Sequence, residues 1–130
     1  YLDTNTCIYY LNGKSESIKN KILSTAPGQI YIPSIVKAEL LFGAAKSKKR
    51  KDNLEKVEQF LQPFEIKAFD DLMTYTYADM RFDLEKKGSI IGPNDLFIAS
   101  IVKFNDGILV TNNTKEFLRI NGLQLENWWK

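Results

Sequence analysis

The chain has 130 residues, a length that fits one compact domain, and 44% of them are hydrophobic, enough for a real core. A formal net charge of +2 leans only slightly towards nucleic acid. The absence of histidine excludes more: His-based general acid–base catalysis, serine triads, Cys–His pairs and His-ligated zinc all fall away, so a hydrolase built on this chain must work through carboxylates.

Tyr1-Leu2 reads as the carboxyl end of a first strand. Asp3 and Thr4 then suit the cap of a helix over residues 6–11, stopped by Asn12-Gly13. A second helix follows over 17–23, with Ile18 and Ile22 four apart, and Pro27-Gly28 turns into a short strand over 29–32. Pro33-Ser34 opens a third helix to Ala45 with Ser34 as its N-cap. Lys46 to Lys51 form a charged connection, and helix resumes over 53–61 with Leu54, Val57 and Leu61 on one face. Pro63 ends that helix, and 64–68 is a candidate strand. Asp70-Asp71 start a long helix to Lys87, closed by Gly88. Gly92-Pro93-Asn94 lead into a helix from Asp95 to Phe104, and Asn105-Asp106-Gly107 turn the chain into a buried-type strand over 108–111. A short helix over 115–119 and a last strand over 123–127 complete the pattern. The alternation of helix and strand predicts an α/β domain with a mostly parallel sheet.

Other classes are set aside as the chain is read. No apolar run reaches the roughly 18 residues of a membrane helix, and no basic segment followed by an apolar one marks a signal peptide. The single cysteine, Cys7, cannot form an internal disulfide and is expected as a buried small residue in a protein of the reducing cytoplasm. No glycine-rich phosphate loop is present.

Acids at strand ends or on apolar helix stripes call for a reason. Asp3 ends the first strand, where ligands of open α/β sheets bind, and it is equally suited to a helix N-cap. Glu39 shares a helix face with Ile35, Val36 and Gly43, where a carboxylate wants a metal or an ion pair with a lysine or Arg81. Asp95 lies on the face of Ala99 and Val102, with Asn94 available as the cap, or it simply answers the helix dipole. Val110-Thr111-Asn112-Asn113 places a hydroxyl and two amides at the end of the most apolar strand, or forms an ordinary turn. Taken together, Asp3, Glu39, Asp95 and Asn113 offer oxygen ligands around one pocket, and clustered acids call for a divalent cation such as Mg²⁺ or Mn²⁺.

These residues carry a resemblance. Leu2-Asp3-Thr4-Asn5, Glu39-Leu40 with Gly43, Gly92 with Asn94-Asp95 and Ile98-Ala99, and Val110-Thr111-Asn112-Asn113 with Phe117 stand in the order of a PIN domain. The chain resembles most the VapC type of bacterial and archaeal toxins, over essentially its whole length as a single domain, residues 1–130. The resemblance implies a Rossmann-like, three-layer α/β/α fold and a Mg²⁺- or Mn²⁺-dependent endoribonuclease, toxin of a VapBC-like pair. Asp3, Glu39 and Asp95 carry over as the metal-binding acids, with Thr4, Asn5 and Thr111 in support. Asn113 stands where many relatives have a fourth Asp; Glu116 or Asp106 is the candidate to compensate. The implied partners are RNA, with tRNA as the leading target class, a small antitoxin whose C-terminal segment occupies the active-site groove, and a second copy of the chain in a homodimer. Trp128, Trp129, Tyr9, Tyr10, Tyr75 and Tyr77 are compatible with such interfaces.

The basic run holds Lys46, Lys48, Lys49, Arg50 and Lys51; Lys48, Lys49 and Arg50 are candidate phosphate contacts, with Lys86, Lys87 and Arg119 as possible additions, or the run is a solvated connection. Alternatives remain open: a PIN nuclease acting on rRNA or mRNA, a non-catalytic PIN-like module that binds RNA or a partner, or a receiver-like small-molecule domain, for which the paired acids and late lysine are not clear.

Overall fold

A computed structural model describes residues 1–130. The helices are α1 (Thr4–Leu11), α2 (Glu16–Ser24), α3 (Ser34–Ala45), α4 (Arg50–Leu61), α5 (Met73–Lys87), α6 (Pro93–Phe104) and α7 (Thr114–Phe117). Four three-residue strands lie between them: β1 (Tyr31–Pro33), β2 (Glu65–Lys67), β3 (Ile108–Val110) and β4 (Gln124–Glu126).

The strands pair in parallel as β1 with β2 and β3 with β4. What joins the two halves is the first tripeptide. The Leu2 amide donates to Tyr31 O (3.2 Å), the Asp3 amide to Val110 O (3.1 Å), and the Val110 amide to Tyr1 O (2.7 Å). Leu2 bridges Val110 in parallel. The spatial order is therefore β2, β1, residues 1–3, β3, β4, a doubly wound arrangement whose switch point falls beside residue 3. Helix contacts are richest between α3 and α4 and between α5 and α6, with α1 joining the first pair and α3 also touching α6. The expected three-layer α/β/α architecture holds, and 23 buried residues form one core across it.

Local signals explain most boundaries. Asp3 is extended and its Oδ1 accepts from the Thr6 amide at 2.9 Å, so α1 begins at Thr4 rather than Thr6. Gly88 closes α5 in the left-handed region, as expected. Pro93 takes the first position of α6, where its missing N–H costs nothing, and the run from Leu96 to Val102 is buried apart from half-buried Phe97.

Three expectations are corrected. Ser34 does not cap α3; β1 runs into the helix through Pro33 without a loop, and Ser34 Oγ instead accepts from the Phe69 amide at 3.4 Å. Asn94 does not cap α6 either, since the cap position is Gly92 and Asn94 lies inside the first turn. The charged connection is shorter than expected, because α4 starts at Arg50. Asn53 Nδ2 donates to Ser47 Oγ (2.8 Å), which donates to Ala44 O (2.6 Å), and this chain closes the α3–α4 corner.

Gly107 leads into β3 directly beneath the Tyr1 ring. A Cβ there would fall 2.4 Å from that ring, which is itself stacked on Tyr31 at 5.1 Å. Gly107→Ala should cost about 1–3 kcal/mol as the ring is driven off its partner. Urea unfolding checks this; a variant as stable as wild type would show that the ring yields freely.

Candidate active site

The carboxyl edge of the sheet gathers the acids. Asp3 sits at the switch point, buried, with one oxygen held by the Thr6 amide. Glu39 comes from the middle of α3, Asp95 from the first turn of α6, and Glu116 from α7 just past β3. Asp3 thus caps its helix while lying at the carboxyl edge of the sheet.

Glu39 is held by neutral donors. Thr4 Oγ1 donates to its Oε1 at 2.5 Å, and Asn94 Nδ2 to its Oε2 at 3.3 Å. The ion pair with Arg81 does not form, because Arg81 bonds Glu85 and Tyr77 one turn away on its own helix. Asn113 Nδ2 donates to Glu116 Oε2 at 2.9 Å, while the Gly92 amide donates to Glu116 Oε1 at 3.3 Å. Asn113 therefore reaches the site through Glu116. Thr111 is buried, and its Oγ1 accepts from the Asn113 amide at 3.0 Å.

The electrostatics agree with this grouping. Burial, and next the charges of Glu116, Asp3 and Glu39, push the Asp95 carboxyl up to about 6. Burial also raises Asp3; hydrogen bonds from Thr111 and Thr6 oppose the rise, and the Glu39 charge adds to it. The ion pairs of the chain are Lys67–Glu65, Arg81–Glu85 and Lys87–Asp83, so no lysine or arginine neutralises the site acids. Cys7, fully buried with its thiol raised by that burial, is inert.

The donor set consists of carboxylates, amides and hydroxyls, with no histidine and the one thiol sealed away. Such oxygen donors fit a hard divalent cation rather than a soft one. No three of the acids converge as tightly as the ligands of a bound ion do, so closing around a cation would take side-chain movement.

Other expected residues lie elsewhere. Asn5 is exposed and makes no side-chain hydrogen bond within the chain. Of the two acids offered as compensation, Glu116 is at the site. Asp106 follows the far end of α6, a helix about 18 Å long. Lys48, Lys49 and Arg50 are exposed at the α3–α4 corner, beginning nine residues beyond Glu39. Lys87 is paired with Asp83, and Arg119 donates to Ile90 O at 3.0 Å. Tyr10 packs on Phe60 and Tyr77 on Phe97, leaving Tyr75 as the most exposed of the aromatics singled out. Asn94, expected as a cap and part of the Gly92–Asp95 block, instead supports Glu39, a contact the sequence does not signal.

Acids without histidine thus lie at the switch point of a doubly wound parallel sheet, where ligands of such sheets bind. The PIN domain description matches residues 1–123. Ribonuclease VapC2 of Rickettsia felis is 48% identical over 130 residues, covering 99% of this chain and 97% of that protein. The tRNA(fMet)-specific endonuclease VapC of Salmonella typhimurium is 38% identical, covering 98% and 96%. Among solved structures, VapBC2 from Rickettsia felis bound to a promoter DNA fragment contains a chain that matches with a TM-score of 0.92 and 47% identity, covering 98% of this chain and 96% of that one. The chain belongs to the PIN-domain family, in its VapC ribonuclease branch. No helix is long and apolar enough to cross a membrane.

Proposed function

We propose that the chain is a Mg²⁺-dependent endoribonuclease, with Mn²⁺ able to substitute, and the toxin of a VapBC-like pair acting on tRNA in the cytoplasm. The observation that carries this is the grouping of Asp3, Glu39, Asp95 and Glu116 along one edge of the sheet, near enough for the other three charges to act on Asp95, with no cationic side chain paired to any of them. Asp3, Glu39 and Asp95 would hold the ion, Glu116 would complete the set, and Asn113 would position Glu116. When bound, the ion supplies a Lewis acid and a water of lowered pKa for phosphodiester hydrolysis.

The protein's own residues prepare that step. Thr4 and Asn94 each donate to one oxygen of the Glu39 carboxylate and orient it at the edge of the site. The Thr6 amide locks Asp3, which is itself buried. Attack by water rather than by the 2′-hydroxyl leaves 5′-phosphate and 3′-hydroxyl ends; cyclic phosphate products would overturn this.

The tRNA target and the antitoxin partner are supported by the names of the relatives and by their solved complexes. A cleft between α1, α3 and α4, lined by Ile8, Leu11, Leu40, Gly43 and Val57, opens beside Glu39 and suits an antitoxin segment that reaches the acids. A homodimer belongs to the same reading. The test is a mixed tRNA pool incubated with and without Mg²⁺ or Mn²⁺, beside the Asp3→Asn, Asp95→Asn double variant. Discrete metal-dependent cuts, absent in the variant, are expected. Cuts confined to rRNA or mRNA would move the target, and no metal binding at all would leave a non-catalytic module.

Lys48, Lys49 and Arg50 remain the proposed phosphate rim, since all three are exposed and free of ion pairs. Neutralising them should flatten the salt dependence of RNA binding by about two in log–log slope, at roughly 0.7 per phosphate contact on a single strand. Metal binding should not change. An unaltered slope would discard the rim.

A further inference from the structure

The end of the chain follows β4 beyond the carboxyl edge of the sheet, on the flank of the site formed by β3 and β4. There Trp129 lies against Tyr9, with centroids 4.6 Å apart and planes at 41°. Tyr9 is half-buried against the core, and side chains on a helix lean towards its N-terminus, so its hydroxyl reaches back to accept from Asn112 Nδ2 at 3.5 Å. Asn112 is the neighbour of Asn113, which bonds Glu116. The ring pair is thus tied to the rim of the acid cluster.

The segment is held in place. Ser17 Oγ donates to Trp128 O, the Trp128 indole donates to Glu126 Oε1 at 3.0 Å, and Asn127 Oδ1 accepts from the Trp129 amide at 2.9 Å. Trp129 stays 38% exposed, and its indole N–H makes no hydrogen bond within the chain. A groove runs on from it, lined by Ser17, Asn20, Lys21, Asn127, Trp128 and Lys130; the lining holds two lysines and no acid. Lys21 Nζ sits 5.8 Å from the centre of the Trp128 ring.

We propose that Tyr9 and Trp129 form a stacking shelf for one unpaired base of the RNA, with Lys21 and Lys130 taking phosphates along the adjoining groove. A held aromatic face beside a basic groove is how proteins take single strands, because every base offers a π-face and every linkage a charge. The amides of Asn20, Asn112 and Asn127 present donors and acceptors to base edges. A protein partner fits less well. Interface cores need several apolar side chains together, whereas Trp128 is the one hydrophobic residue lining the adjoining groove, beside two lysines. The shelf rests on the ribonuclease reading and deepens it.

The test uses an Asp95→Asn background that binds without cutting, with a Trp128→Phe change so that Trp129 is the one tryptophan left. The probes are a short oligoadenylate and the same chain with abasic sugars. Oligoadenylate should quench Trp129 fluorescence and the abasic chain should not. Trp129→Ala should weaken oligoadenylate binding about tenfold, leave the abasic chain unaffected, and keep the parent's thermal unfolding; Trp129→Phe should restore most of the loss. Equal oligoadenylate affinity with and without the Trp129 ring overturns the shelf while wild-type cleavage of RNA still stands. Trp129→Ala that weakens only the hold of an antitoxin makes this a protein-docking face and also overturns it. A wild-type chain that cuts and binds no RNA removes the ribonuclease reading, and the shelf with it.

Discussion

Asp95→Asn should stop cleavage and, in the absence of divalent ions, steady the fold. Loss of one of the central acids removes a carboxylate on which ion binding depends, worth several kcal/mol of transition-state stabilisation, so the rate should fall by about three orders of magnitude or more. Stability moves the other way for an electrostatic reason. The Asp95 carboxyl titrates at about 6 in the fold against an ordinary 3.8. Below the lower value the group is protonated in both states and costs nothing. Between the two, the unfolded chain ionises while the folded one holds its proton, so stability falls as pH rises; above about 6 the whole penalty persists. The shift would correspond to about 3 kcal/mol if taken at face value, and with the group half exposed the discounted figure is about 1–2 kcal/mol. Urea unfolding with a chelator present should therefore show wild type losing stability between pH 4 and 6 relative to Asp95→Asn, and the variant ahead at pH 7. Saturating Mn²⁺ should close that gap by favouring the wild-type fold. A variant less stable than wild type at pH 7 under chelation would contradict the crowding of acids described above.

Phe117→Ala should be the most damaging single core change at the edge of the site. The ring is among the largest fully buried side chains and belongs to α7, a helix of only four residues. So short a helix has no stability of its own, so it depends on this anchor. Removal of the ring should cost about 3–5 kcal/mol. The functional effect should exceed that of a comparable deletion far from the site, because α7 carries Glu116 and is preceded by Asn113. Ile22→Ala in α2 is the control, also buried but on a helix that brings no acid to the site. Chemical denaturation and the cation concentration needed for half-maximal cleavage would be measured for both. Equal cation requirements would show that α7 holds its position without the ring.

The site was legible where periodicity and punctuation coincide. Gly92-Pro93 followed by an apolar run announces α6 and places Asp95 in its first turn, and the break between Leu2 and Asp3 marks a strand handing over to a helix. Caps were less legible. Ser34 and Asn94 have the right chemistry for capping, but Pro33 and Gly92 occupy the cap positions, and both polar side chains turn to tertiary partners. Glu116 could only be half seen. Its bonds to Asn113 and to the Gly92 amide join segments that neither period nor spacing relates. The support given by Asn94 to Glu39 spans 55 residues, a contact that only tertiary structure creates. The resemblance to PIN domains supplied what the pattern lacked, by naming Asp3, Glu39 and Asp95 as one set.

The middle of the sheet is made from the first three residues described, and their partner on one side is Val110, more than a hundred positions away in the chain. That separation has a consequence for how the protein comes into being. As the chain emerges from the ribosome Asp3 appears first, and the strand that receives it follows more than a hundred residues later. At about 5–20 residues per second, several seconds pass in which the acids exist without their common edge. Contacts of such long range also slow folding itself, since the whole intervening loop must be closed first. A nuclease wired in this order cannot assemble its acid edge until β3 has emerged to meet residues 1–3.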